Sequence, residues 1–290
     1  MKHFIYNVPS YATGGVESLY QLCDGINMQG GDAYIVHMGD DFGMHLIPEQ
    51  YRHYNLKVAR EVEDSANNVL ILGEIFTGDI YKFPQIQKCI WWLSVDNNKG
   101  AFTDFADENI LHLYQSYYAL DFLRKNNVRR HLPLFDYIYE SPNKMCSTKQ
   151  DIVCYNPAKD MEITQHIIKH SNGIKFVPLA GMSREQVYNT LDVSKLYIDF
   201  GNHPGRDRFP REAILNDCMI VVGDRGSAHF YDDVVVRRPY CLDEIGPLIG
   251  SQINALLDGY DTMIKDFALY KRVVMKQREE FFNQCKIFLG

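Results

Sequence analysis

The densest chemistry in this 290-residue chain lies in one run, Tyr197-Ile198-Asp199-Phe200-Gly201-Asn202-His203-Pro204-Gly205-Arg206-Asp207-Arg208-Phe209-Pro210-Arg211-Glu212-Ala213. A strand-like stretch ends, and a loop with His203, Asp207 and the arginines leads into a helix that Pro210 helps to start. Three arginines within six residues, Arg206, Arg208 and Arg211, suit a diphosphate, because guanidinium groups grip phosphate oxygens in pairs. Glu212, in the first helical turn, could accept hydrogen bonds from a ribose or a sugar. The plainer alternative is a pair of local ion pairs, Asp207–Arg211 and Arg208–Glu212, that only stabilise the helix start.

Four shorter segments also follow strand-like runs. Pro9-Ser10-Tyr11-Ala12-Thr13-Gly14-Gly15-Val16-Glu17 opens the first helix. Gly14 and Gly15 allow close backbone approach to a ligand, and the helix start aims free N–H groups at it. The alternative is a tight turn with Thr13 as cap and Glu17 on the favourable end of the dipole. Lys159, in Asn156-Pro157-Ala158-Lys159, can neutralise a phosphate as a point charge, or is an ordinary solvated lysine. Gly226-Ser227-Ala228, with Asp232-Asp233 beyond, is a ligand loop or a plain helix cap. Asp96, Asn97 and Asn98 follow Trp91-Trp92 and suit acceptor hydroxyls or a general base, whereas the two tryptophans themselves read as core. His37, His112, His203 and His229 read as structural histidines, and no His-Glu-x-x-His or similar cluster argues for metal.

These segments must be held by alternating strands and helices. Apolar runs predict strands at 3–8, 33–38, 68–72, 89–95, 112–115 and 130–134, with helices at 16–28, 81–87 and 117–126. Gly30-Gly31 ends the first helix. Polar, turn-rich residues 140–150 read as a linker. The alternation then restarts, with strands at 151–155, 175–178, 195–200 and 219–222 and helices at 161–171, 183–191 and 210–217. A mostly helical tail, from about 242 to 289, shows no further clear strand. Two such halves predict two parallel-sheet α/β domains, residues 1–145 and 146–290, with ligands beyond the carboxyl ends of their strands and in the cleft where the domains face.

Composition narrows the class. Hydrophobic residues make up 46% and charged residues 23%, ordinary globular values that leave no room for long disorder. The net charge of −7 and the lack of a basic block disfavour a nucleic-acid binder. No apolar run is long enough to span a membrane, and the N-terminus lacks the pattern of a signal peptide. Seven cysteines, none in a Cys-x-x-Cys pair, point to a reduced, cytoplasmic protein without structural zinc. The first turn lacks the third glycine of Gly-x-Gly-x-x-Gly and no acidic ribose ligand is evident after it, which disfavours a nicotinamide dehydrogenase; no P-loop is present either.

Taken together the segments resemble the GT-B class of nucleotide-sugar glycosyltransferases, in particular bacterial-type enzymes that build capsule, O-antigen or similar surface glycans. The matching elements are Gly14-Gly15-Val16-Glu17, Lys159 after the first strand of the second half, the Pro204–Ala213 loop and helix, and Gly226-Ser227-Ala228. The resemblance is strongest over residues 151–234. It implies two Rossmann-like domains with a C-terminal helix crossing back onto the first. It implies a nucleotide-sugar donor on the second domain, met by Gly14, Gly15, Asn156, Gly205, Arg206, Glu212, Gly226, Ser227 and Ala228. Lys159, Arg208 and Asp207 become the catalytic set, with Glu17, Asp96 and Asn97 on the side of a glycan or lipid-linked acceptor. No metal or other cofactor is implied if Lys and Arg supply the positive charge.

The chain departs from the family in one respect. Many retaining members carry two glutamates separated by seven residues; Glu212 matches the second, and the first falls on Pro204. Asp207 or Asp199 would have to substitute. Retention of configuration follows from the resemblance alone. An inactive binding or scaffold subunit and a nucleotide-sugar epimerase are the other readings. The expected location is cytoplasmic, with at most weak association with the inner face of the membrane.

Overall fold

The computed structural model describes residues 1–139 and 148–290. Cys146, most of the expected linker and the expected boundary at 145/146 lie outside them. The chain divides into two compact units: Met1–Tyr137 with Pro204–Arg206 and Gln277–Gly290, and Ile138–His203 with Asp207–Lys276.

The first unit is a six-stranded parallel sheet in the order β2-β1-β3-β4-β5-β6. Its strands are β1 (Lys2–Val8), β2 (Asp32–His37), β3 (Val69–Gly73), β4 (Gln87–Trp92), β5 (Ile110–Tyr114) and β6 (His131–Pro133). Helices α1 (Gly14–Met28) and α2 (Tyr117–Lys125) are each started by a hydroxyl cap, Thr13 accepting from the Val16 amide and Ser116 from that of Ala119. Val69–Gly73 is buried at every position, as a strand covered on both faces must be. Trp91 and Trp92 are fully buried core residues, and each indole N–H finds an acceptor, the Leu134 carbonyl and His112 Nδ1. The helix expected at 81–87 is not there. A 3-10 helix covers Glu74–Lys82 instead, and Gln87 already belongs to β4.

The second unit is a five-stranded parallel sheet in the order β11-β10-β9-β7-β8. Its strands are β7 (Gln150–Tyr155), β8 (Lys175–Pro178), β9 (Ser194–Asp199), β10 (Met219–Gly223) and β11 (Cys241–Leu242). The two-residue β11 was not legible as a strand, because a bridge that short carries no periodicity. The helices are α3 (Met161–Lys169), α4 (Arg184–Val193), α5 (Arg208–Leu215), α6 (Ile249–Asp258), α7 (Tyr260–Met263) and α8 (Ala268–Leu289). Ser183 and Gln186 form a reciprocal capping box at α4. Val153, Leu196, Ile198, Ile220 and Val222 centre the core, and Ile167, Leu191 and Ile214 from α3, α4 and α5 pack into it.

The last stretch of α8, from Gln277 on, belongs to the first unit, so the tail does cross back. There Phe281 and Cys285 are fully buried, and a Cβ on Gly25 of α1 would stand 2.7 Å from atoms of both. In each sheet the chain runs first to one side of its opening strand and then to the other. The order therefore reverses between β1 and β3, and between β7 and β9. Such reversals open a crevice beyond the carboxyl ends of those strands, where ligands of open α/β sheets bind.

Candidate functional site

The switch point of the second unit gathers Lys159, Asp199, His203 and Asp207. Lys159 arrives on the turn after β7. There Asn156 Oδ1 accepts from the Ala158 amide at 3.0 Å, and Pro157 ends the strand. The lysine ammonium contacts the Asp207 carboxylate and lies 3.9 Å from Asp199 Oδ2; its side chain is 19% exposed. Asp199 ends β9 and accepts from the Tyr197 hydroxyl at 2.9 Å and the Gly201 amide at 3.1 Å. His203, fully buried, has Nδ1 2.7 Å from Asp207 Oδ2 and Nε2 3.8 Å from Asp199 Oδ1. Burial alone would raise the Asp207 carboxyl. The close His203 ring and the Lys159 ammonium outweigh it and hold Asp207 below the usual carboxylate range.

Two glycines make this packing possible. A Cβ on Gly201 would stand 2.6 Å from the Cβ of Lys159. Gly226 has φ +57°, and a Cβ there would stand 2.2 Å from the His203 carbonyl oxygen. That carbonyl accepts the Ser227 amide at 2.8 Å. The Gly226-Ser227-Ala228 loop after β10 thus braces the loop after β9, and Ser227 and Ala228 are buried.

Arg208 and Glu212 sit on the first turns of α5, with Arg208 Nε donating to Glu212 Oε1 at 3.2 Å, so this expected local pair does form. Arg211 Nε donates instead to the Asp207 backbone carbonyl at 3.1 Å, and Asp207 spends its carboxylate on Lys159 and His203. A cavity of about 570 Å³ opens beyond β9, β10 and β11, bordered by Phe200, Gly223, Arg225 and Leu242.

The remaining expected site residues are placed in the first unit. Gly205 lacks a Cβ because the Leu93 carbonyl occupies its place, 1.8 Å from where that atom would be. Arg206 donates its amide to Gln115 Oε1 at 2.8 Å and lays its guanidinium 4.9 Å from the Phe135 ring centre. Both contacts lie within the first unit. Gly14 and Gly15 begin α1, with open space where a Gly15 Cβ would be. Glu17 is fully buried and accepts from the Tyr54 hydroxyl at 2.9 Å. Asp96 and Asn97 are exposed, Asp96 accepting from the Tyr118 hydroxyl at 2.8 Å.

Two important groups are ones whose type and spacing did not announce them. His203 looked like any structural histidine, although Asp199, His203 and Asp207 recur every four residues. Glu74 follows β3 at the switch point of the first unit, almost wholly buried, and accepts the Leu93 amide at 3.0 Å. Burial pushes its carboxyl up to about 7, against the Leu93 and Ser94 amides and the Asn97 side chain, which pull it down.

The ligand atoms of Asp199, His203 and Asp207 lie within 4.8 Å of one another, a donor set that could serve a divalent cation. The Lys159 ammonium, however, already supplies the positive charge among these carboxylates.

Two parallel α/β sheets, each with a switch point, and a C-terminal helix returning to the first unit decide the architecture. The fold is GT-B. Solved structures align with 77–100% of the chain. Anabaena HepE in complex with UDP-glucose superposes with a TM-score of 0.69 at 12% identity, covering 100% of this chain and 99% of that one. T4 phage β-glucosyltransferase in complex with its UDP-glucose substrate gives 0.56 at 12% identity, covering 99% and 98%. A mutant of S. aureus TarM, in complex with fondaparinux, α-GlcNAc-glycerol and UDP, gives 0.54 at 13% identity, covering 77% of this chain and 56% of that one. No protein-family profile matches, and no curated protein sequence is significantly similar. Among the described residues, no helix of this GT-B chain is long and apolar enough to cross a membrane.

Proposed function

We propose that this protein transfers a sugar from a UDP-sugar to a hydroxyl of a glycan or lipid-linked acceptor, without a metal and with retention at the anomeric carbon. The observation that carries the reading is Lys159 at the strand-order reversal of the second unit, in contact with Asp207, the residue that precedes the Arg208–Glu212 pair opening α5. GT-B relatives in shape hold UDP-glucose, which favours a uridine donor here.

Lys159 and Arg208 would take the diphosphate. When the bond from the anomeric carbon to the diphosphate oxygen breaks, negative charge grows on the leaving group, and fixed cations stabilise that charge without reorganising. A carboxylate has about four acceptor positions, so Glu212 can hold Arg208 and still receive a ribose hydroxyl. Lys159 at the two carboxylates supports metal independence. The acceptor falls to the first unit, where exposed Asp96 and Asn97 follow β4. Retention rests on the resemblance of the Glu212 loop to retaining members.

The test is a panel of UDP-, GDP- and ADP-sugars with mass-spectrometric detection of released nucleotide and transferred sugar, and NMR of the product anomer. Release of UDP with a sugar-bearing product is expected. Absence of calorimetric binding for every nucleoside diphosphate would sink the proposal.

A further inference from the structure

The lysine expected to meet the diphosphate is already engaged. Its ammonium touches Asp207, with Asp199 Oδ2 3.9 Å away. An incoming diphosphate must therefore take Lys159 from Asp207. The exchange would leave a carboxylate, only 22% exposed, beside an anionic ligand. A half-buried anion without a partner is costly, so something else must hold Asp207 through the exchange.

His203 is built for that. Its Nδ1 stays 2.7 Å from Asp207 Oδ2, and its ring is fully buried. Its backbone is pinned by the Ser227 amide and by the close approach of Gly226, neither of which involves Lys159. Asp199 lies on the other side of the ring and is itself steadied by Tyr197 and the Gly201 amide. Lys159 can leave Asp207 while His203 remains.

We propose that His203 is a positioning residue that holds Asp207 as the exchangeable counter-ion of Lys159, so that a nucleoside diphosphate enters by trading places with the Asp207 carboxylate. This rests on the reading of Lys159 as a diphosphate ligand. Asp207 then acts before chemistry, as a competitor for the ammonium. Without His203, Asp207 depends on Lys159 alone, and the trade becomes harder.

The experiment is calorimetry with UDP on the full chain. Lys159→Ala should weaken UDP binding. Asp207→Asn keeps the side-chain shape but frees the ammonium, and should tighten UDP about tenfold, the scale of one charge-assisted contact. His203→Ala should weaken UDP about tenfold and raise KM while kcat stays within about threefold. The double variant should bind UDP nearly as tightly as Asp207→Asn. A merely structural histidine would not be rescued by removing the charge on its neighbour. Should His203→Ala fail to fold, His203→Asn and Asp207→Asn alone still decide. Weaker UDP binding in Asp207→Asn, with the Lys159→Ala loss intact, overturns the counter-ion role only. Unchanged binding in Lys159→Ala overturns the donor-site reading and this proposal together.

Discussion

Gly201 is a glycine because Lys159 lies where its side chain would be: a Cβ there would stand 2.6 Å from the lysine Cβ and 3.1 Å from its Cδ. The near end of the lysine stem cannot swing away as its tip could. Gly201→Ala should therefore cost roughly 1–3 kcal/mol, the usual penalty for overpacking, and also weaken UDP binding by moving the ammonium. Denaturant titration and calorimetry read the two effects separately. Wild-type stability in the variant would show that the approach is slack.

Removing the cations themselves should damage turnover well beyond any loss of stability that comes from leaving Asp207 or Glu212 without its partner. Lys159→Ala and Arg208→Ala are each expected to lower kcat by roughly 10²-fold, the scale of lost transition-state electrostatics. Both side chains are mostly but not wholly buried, at 19% and 15% exposed, and both lie at a loop or helix start. Full activity in either variant would remove that residue from the site.

Much of this arrangement could be read from residue order. Continuous apolar runs such as Val69–Leu72 and Cys89–Trp92 mark buried strands wherever they fall, and the residues that follow them necessarily lie at the carboxyl edge. The positions of Lys159 after β7 and of Arg208 and Glu212 on the helix after β9 were legible for that reason. The partners of a charge were not. Asp207 and Arg211 have the spacing of an ion pair, yet Asp207 turns to Lys159, 48 residues away, and to His203. His203 and Glu74 take their character from burial, which the third dimension imposes. Gly205 looked like a ligand-facing glycine, but the Leu93 carbonyl explains it, a contact between segments far apart in the chain.

Metal independence has its own check. Turnover is expected to survive EDTA, since Lys159 supplies charge at Asp199 and Asp207. Loss of activity that manganese or magnesium restores would instead assign Asp199, His203 and Asp207 to a cation.

Glu74 should make the stability of the first unit depend on pH. Its folded value, about 7, lies above the ordinary 4.5 because burial disfavours the charged form. The folded state thus binds this proton more tightly than the unfolded chain does. The resulting stabilisation is fully present below about pH 4.5 and is lost as pH rises through about 7. Its size is on the order of 3 kcal/mol. Glu74→Gln can still accept the Leu93 amide without carrying charge. It should match the wild type near pH 4.5 and unfold at higher denaturant near pH 8. Parallel pH profiles for the two proteins would mean that Glu74 stays charged at little cost.

The end of α8 supplies structure that the first unit lacks without it. Gln284 Oε1 accepts the Phe135 amide at 2.7 Å, in a setting where both groups are buried. Gln284→Ala would orphan that N–H, at roughly 1–3 kcal/mol. Deleting residues 277–290 goes further, since Phe281 and Cys285 fill the face beside Gly25, and Phe281 packs 5.3 Å from the Tyr137 ring. That face would become exposed apolar surface on α1. The truncated protein should bind a hydrophobic dye, unfold at lower denaturant and aggregate, whereas Gln284→Ala should stay soluble with a lowered midpoint. The contrast matters because a tail that only covered the surface would give small effects in both. A soluble, fully stable truncation would show that the first unit's core is complete without the returning helix.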